Sequence, residues 1–368
     1  MKTVASKARE MFGLLRRGGP ALCNIAVTNS CNAACGFCNF ARGKVSARHL
    51  RWLDPDQFPR ALDILYQRDV RYLSFFGGEP LLHPHLAHMI ELAVVKGMGP
   101  SLITNGWLLP QKLDELSRSG LQTIYISLDA ADLATHDTSR GLKGLGERIR
   151  SATSRMRELG MQALAQVTMN KLVRDYRELA PLLRELGFAA VAFSYPQQRR
   201  LGSSSLAWSD SSPLVKFTTA ELIAAFDSIN KLRKEFPVTN PRASIADMKR
   251  HLRGENEKFS CYGGYKSFYM DWNYDMWRCD SWSQRIGPIW EFADAAPVRD
   301  GCTACIADCY RDSSVMLHFA VALGDSMDRL KRGHVFGAVS SLADARNFIS
   351  LGAVLENAHA FSRLARFG

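Results

Sequence analysis

Residues 22–38 read LCNIAVTNSCNAACGFC, an apolar run over Leu22–Thr28 that breaks directly into three cysteines, Cys31, Cys35 and Cys38, in a CxxxCxxC spacing. The run reads as a short buried strand and the cysteines as the loop that leaves it. Three thiolates gathered on one loop, with one coordination position left open, are what a [4Fe–4S] cluster needs if one iron is to bind a substrate or cofactor in place of a fourth cysteine. The competing reading is structural zinc, which takes four closed ligands in paired knuckles. No fourth Cys or His follows at a suitable local spacing, so zinc is the weaker of the two.

Outward from this stretch the same pattern repeats. Leu73-Ser74-Phe75-Phe76-Gly77-Gly78-Glu79-Pro80 is an apolar strand that ends in two glycines and an acid. Glycine at a strand end lets a backbone or ligand approach closely. Further apolar runs end in polar residues at Thr104-Asn105-Gly106, at Ser127-Leu128-Asp129 and at Thr168-Met169-Asn170. Six strands can be counted, at 22–28, 71–76, 101–104, 123–128, 163–169 and 189–194, alternating with helical stretches at 59–67, 86–96, 111–119, 144–160 and 174–187. That alternation calls for βα units and a parallel sheet. With 368 residues and 46% hydrophobic composition, an α/β fold is expected: a partial (β/α)6 TIM-like barrel with its site at the carboxyl ends of the strands.

The cluster loop, the Gly77-Gly78-Glu79-Pro80 stretch about forty residues later, and the ordered polar strand ends resemble the radical S-adenosylmethionine (SAM) superfamily. The resemblance implies that Cys31, Cys35 and Cys38 hold a [4Fe–4S] cluster whose open iron is chelated by SAM. Reductive cleavage of SAM then yields methionine and a 5′-deoxyadenosyl radical. Position by position, it implies Phe37 near the adenine and Gly77, Gly78 and Glu79 at the methionine amino group. Ser127 and Asp129 would lie near the ribose and carboxylate, with Thr104 and Asn105 also in the cofactor site. Ala130 stands where the family often has glycine, and His136, Asp137 and Arg140 continue the pattern.

Of nine cysteines, five more fall late in the chain, at Cys261, Cys279, Cys302, Cys305 and Cys309. No apolar signal segment opens the sequence, so reduced metal ligands in a cytoplasmic protein are expected rather than disulfides. Tyr265–Trp277 suggests a β-hairpin, and Cys302-Thr303-Ala304-Cys305 opens a helix-like segment. This arrangement resembles the twitch or shortened SPASM extension of radical SAM enzymes, a small α+β iron–sulfur domain. It implies a second, auxiliary [4Fe–4S] cluster on Cys261, Cys279, Cys302 and either Cys305 or Cys309. If Cys309 stays free, it could donate a hydrogen atom. A zinc ribbon remains the alternative. The expected division is a basic N-terminal segment (1–19), the core barrel (20–240), the auxiliary domain (241–312) and a helical extension (313–368).

The tail, Cys302-x-x-Cys305-x-x-x-Cys309-Tyr310 followed by the helix Ser313–Leu323, is similar to that of hopanoid-biosynthesis radical SAM adenosyltransferases. A lipid, isoprenoid or other small-molecule substrate is thereby implied, with a flavodoxin or ferredoxin as reductant. A twitch-type sugar or aminocyclitol dehydrogenase or epimerase is the second reading. A non-catalytic iron–sulfur or RNA-binding protein is the third. The balance of 47 basic and 36 acidic residues, net +11, favours anionic partners. No RNA-binding module is recognisable, which ranks nucleic acid last, and Arg199 and Arg200 are candidates for holding a substrate anion. Leu342, Phe348, Leu351, Leu355, Ala358 and Phe361 recur at helical spacing between basic clusters. Such a stripe fits a helix docked on the barrel, and it also fits an interfacial helix at the inner membrane face.

Overall fold

The computed structural model describes residues 4–197 and 212–358. One nine-stranded sheet organises the chain. Its strands are β1 (Ala21–Ala26), β2 (Val70–Phe76), β3 (Gly99–Thr104), β4 (Thr123–Ser127), β5 (Gln162–Thr168), β6 (Ala190–Ser194), β7 (Ser267–Met270), β8 (Asp275–Trp277) and β9 (Arg285–Pro288). The order is β6-β5-β4-β3-β2-β1-β7-β8-β9, so β1 to β6 pair in sequence order, all parallel. This is the partial barrel expected from the alternation. All six strands lie within two residues of the expected bounds.

Among the described residues twelve α-helices accompany the sheet: α1 (Val4–Arg16), α2 (Phe58–Gln67), α3 (Leu86–Val95), α4 (Leu109–Arg118), α5 (Leu133–Arg140), α6 (Leu145–Glu158), α7 (Leu179–Glu185), α8 (Thr219–Leu232), α9 (Arg242–Leu252), α10 (Asp308–Lys331), α11 (Val335–Leu342) and α12 (Ala345–Glu356). Local chemistry sets their ends. Asp132 caps α5 by accepting from Thr135 N, and Gly141, at φ 61°, closes it in the left-handed region. Thr218 and Glu221 form a capping box at α8. Strand side chains facing the helices, such as Cys23, Ile25, Leu73, Phe75, Leu102, Ile124, Ile126 and Val167, are buried in one continuous core.

Two features depart from the sequence reading. The hairpin is not a detached appendage: β7 pairs in parallel with β1 and β8 continues antiparallel, so the extension grows from the barrel's own sheet. The helix expected over 313–323 starts at Asp308 and runs to Lys331. Cys302 and Cys305 therefore lie on a loop and Cys309 on the first turn of α10, and the 312/313 boundary falls inside that helix. Arg199, Arg200, Phe361 and most of the serine-rich stretch 202–212 lie outside the described residues. Among the described residues no helix is long and apolar enough to cross a membrane.

Candidate functional site

The loop bearing Cys31, Cys35 and Cys38 is held against the ends of β2 and β3. Gly78 N donates to Thr28 O and Glu79 N to Ser30 O, each at 2.7 Å. Only glycine permits this approach: a Cβ on Gly77, at φ +138°, would stand 2.3 Å from Thr28 O, and one on Gly78 would stand 2.0 Å from Ser30 O. The pair, read from sequence as a ligand cradle, thus first brings the cysteine loop onto the strand end. Glu79 is fully buried, and its carboxylate accepts from Thr104 Oγ1 (2.6 Å), Asn105 N (2.7 Å) and Leu81 N (3.1 Å). Asn105 Nδ2 in turn donates to Asn32 Oδ1 at 2.7 Å, between the first two cysteines. Glu79, Thr104 and Asn105 accordingly form one buried support under the loop.

A second support comes from α5. Ala34 N donates to Arg140 O at 2.8 Å. The Arg140 guanidinium pairs with Asp129 at 2.7 Å, both side chains being nearly inaccessible at 8% and 0% exposure. Asp129 N donates to His136 Nδ1 at 3.1 Å, which fixes the imidazole with its proton on Nε2. Burial pushes the Cys31 thiol up to about 12 and Cys38 to about 11. Cys35 is also raised by burial, while Arg140 beside it draws it down. Two buried donors here have no partner, Arg140 Nε and His136 Nε2. A buried guanidinium with an unused N–H beside three thiols suits an anionic, sulfide-rich group. Ser127 is half-buried and donates to Thr104 O at 3.2 Å, and Phe37 lies in the core.

The late cysteines gather between β7, β8 and the start of α10. Cys261 N donates to Cys302 O at 2.8 Å and Gly263 N to Cys261 Sγ at 3.3 Å. Arg278 grips Asp300 through two 2.6 Å contacts, and Asp300 receives Cys302 N at 3.2 Å. Arg311, paired with buried Glu257, donates to Cys302 O at 3.4 Å and Phe259 O at 2.9 Å. Cys305 lies within electrostatic reach of Cys261, Cys279 and Cys302. Cys309 feels Cys279 and Cys305 together with Asp280 and Asp308, and it alone of the nine is exposed. Among the described residues, no three His, Cys, Asp or Glu side chains converge on a single ion-sized point.

Between the two thiol groups lies the inner face of the sheet. Strand register puts Asn24, Ser74, Tyr125, Ser127, Gln166, Thr168 and Ser194 on that one face, and all are only partly buried. Gln166 Nε2 donates to Ser194 Oγ at 2.7 Å. At the mouth, Tyr195 N donates to Asp308 at 3.2 Å, which seats α10 over the end of β6. Asp280 N donates to the Tyr310 hydroxyl at 3.1 Å, and burial raises the Asp280 carboxyl to about 6. Asp280, Asp308 and Arg311 escaped the sequence reading, and Tyr310 entered it only as part of the tail motif. Their one signal was charge and hydroxyl placed immediately around Cys279 and Cys309 in an otherwise small, apolar segment.

Residues 25–180 match the Radical SAM superfamily. The chain is 30% identical over 186 residues to the AdoMet-dependent heme synthase of Methanosarcina barkeri, covering 49% of this chain and 52% of that protein. It is 27% identical over 179 residues to the subtilosin biosynthesis protein AlbA of Bacillus subtilis (48% and 39%). To the PqqA peptide cyclase of Gluconobacter oxydans it is 30% identical over 173 residues (46% and 48%). The chain thus spans about half or less of the length of these relatives. The fold is similar to that of anSMEcpe with bound AdoMet and Cp18Cys peptide, at a TM-score of 0.56, 15% identity and coverage of 94% and 99%. It is also similar to Streptococcus suis SuiB bound to S-adenosylmethionine, at a TM-score of 0.53, 16% identity and coverage of 74% and 64%.

Proposed function

We propose, from the radical SAM superfamily domain that residues 25–180 form, that the protein is an enzyme that cleaves SAM and uses the radical on a carbon centre of a lipid, isoprenoid or other small biosynthetic intermediate. Such a domain implies a [4Fe–4S] cluster and SAM; when bound, they supply an electron and the 5′-deoxyadenosyl group. The observation that carries the reading is the clamped cysteine loop. Cys31, Cys35 and Cys38 would hold the cluster, with Glu79 and Asn105 fixing the loop from one side and Arg140 compensating its negative charge from the other. The accessible candidates for touching SAM are Ser127 and the backbone of Gly77 and Gly78. Glu79 and Asp129 would act through the neighbours they hold, because both carboxylates are already buried and paired.

Cys261, Cys279, Cys302 and Cys305 would form the ligand set of an auxiliary cluster in a twitch-like region over 241–312, beside the 20–240 core. Cys309, the exposed one of the five and close to Asp280 and Asp308, would face substrate. The similarity of the tail to hopanoid adenosyltransferases points to a lipid substrate, and the exposed face described below supports peripheral contact with a membrane. The accessible thiol also favours a second reading, a dehydrogenase or epimerase acting on a sugar or aminocyclitol.

The test is anaerobic reconstitution followed by incubation with dithionite, SAM and either a lipid extract or a polar metabolite fraction, read by mass spectrometry. Lipid-stimulated 5′-deoxyadenosine or an adenosine-linked lipid is expected. Stimulation by the polar fraction alone would move the protein to the second reading. Absence of SAM cleavage under every condition would leave a non-catalytic iron–sulfur protein.

A further inference from the structure

The last two helices are built inside out. On α12 the residues turned inward are Asn347, Ser350, Ala353 and Asn357, all buried, while Phe348, Leu351 and Leu355 on the opposite side are 71%, 38% and 73% exposed. On α11 only Ala338 is buried, and Val335, Phe336, Val339 and Leu342 are 55%, 94%, 60% and 37% exposed. An ordinary surface helix presents the reverse pattern. The stripe seen in the sequence is real, but it points to solvent.

Both helices lie on one face of α10. Ser350 Oγ donates to Met316 O and receives Phe319 N, each at 3.1 Å, and Ala353 packs with Val315. Ser326 Oγ donates to Ala338 O at 3.2 Å. Val315, Phe319 and Ser326 recur at i, i+4 and i+11, which is one side of a helix. Asn347 Nδ2 ties the two helices at their junction by donating to Ser341 O and Leu342 O. The outward apolar side chains therefore make one strip along the outside of α10.

The surroundings of that strip hold cations left without a carboxylate. Residues 325–358 contain Arg329, Lys331, Arg332 and Arg346 against Asp325, Asp328, Asp344 and Glu356. Each carboxylate is already engaged: Asp325 by Arg299, Asp328 by Lys331, Asp344 by the α12 cap and Arg346, and Glu356 by Arg242 and Arg233. Among the described residues Arg329, Arg332 and Arg16 of α1 have no carboxylate at ion-pair distance, and Arg332 and Arg16 stand beside the Lys331-bound Asp328, helping to hold its carboxyl low. A second copy of the chain would bring two cationic rims together, which costs energy. An anionic bilayer accepts both features, the apolar side chains entering the headgroup boundary and the rim meeting lipid phosphate.

We propose that the α11–α12 face is the surface by which this protein rests on an anionic lipid bilayer. This makes specific the membrane contact named under the proposed function, but it is carried by the surface alone. Its test reads binding rather than turnover, so the two fail separately. The full chain is sedimented with phosphatidylcholine vesicles with and without phosphatidylglycerol, at low and high salt. Binding is expected to the anionic vesicles, weakened about tenfold or more by their replacement with phosphatidylcholine or by salt. The triple variant Phe336→Ser/Phe348→Ser/Leu355→Ser should lose about tenfold again while keeping its thermal midpoint, because all three side chains are exposed. No binding of the wild-type chain to either vesicle would overturn the proposal without recourse to any variant. Binding untouched by the triple substitution would also overturn it, as would a wild-type dimer that the substitutions dissociate.

Discussion

Replacing Arg140 with methionine should cost the domain more stability than any other single change near the cysteine loop. Its guanidinium is 2.7 Å from Asp129, and the two side chains are 8% and 0% exposed. Methionine keeps most of the aliphatic volume but leaves the Asp129 carboxylate buried beside only a 3.5 Å contact from Ser139 Oγ. Removing one partner of such a pair costs about 3–5 kcal/mol. At roughly 2–4 °C per kcal/mol for a domain of this size, the thermal midpoint of cluster-free protein should fall by about 6–20 °C. Asp129→Asn combined with Arg140→Met removes the stranded charge and should recover part of the loss. The assay is differential scanning calorimetry of the three proteins before reconstitution, followed by iron content after it. Iron should fall in both variants, because the cation beside Cys35 is gone in each. A midpoint within about 2 °C of wild type for Arg140→Met would refute the buried-pair argument.

Three further outcomes can be checked. Gly78→Ala places a Cβ 2.0 Å from Ser30 O, so it should displace the loop, and iron analysis after reconstitution should show loss of about half the metal. Cys305→Ala should lower iron from about eight to about four per chain, whereas Cys309→Ala should leave iron unchanged and alter product formation. Asp312, raised to about 7 by burial despite Ser244 and Asn240 beside it, holds a proton that the unfolded chain releases near pH 3.9. Stability should therefore fall as pH rises from about 4 to 7 and level off above, by at most about 1.4 kcal/mol per unit from this group. Urea unfolding of Asp312→Asn should lack that component, and parallel pH profiles for the two proteins would contradict the assignment.

The barrel was legible because its strands are short continuous apolar runs ending in polar residues, a signal carried within each segment. The three loop cysteines were legible for the same reason. What Gly77, Gly78, Glu79 and Asp129 do was not, since their roles depend on partners far along the chain. The glycines answer to the backbone of Thr28–Ser30, Glu79 to Thr104 and Asn105, and Asp129 to Arg140. At the strand ends, Glu79 and Asp129, expected from sequence as cofactor contacts, are buried and already paired within the chain. The start of α10 was placed late because Asp308 lacks a side-chain cap before it and is seated instead by Tyr195 N on β6. Helical periodicity in 342–361 identified a stripe but not its direction. That direction is set by Asn347, Ser350 and Ala353, whose small or polar side chains fit against α10 and leave the larger ones outside.

The most direct test of the central claim is anaerobic reconstitution of the full chain, reduction with dithionite, addition of SAM, and quantitation of 5′-deoxyadenosine beside the same experiment on Cys31→Ala/Cys35→Ala/Cys38→Ala. The account predicts 5′-deoxyadenosine from the wild-type protein and none above background from the triple variant, which should keep the iron held by the late cysteines. Equal 5′-deoxyadenosine from both proteins, or none from a wild-type protein carrying its full iron content, would contradict it.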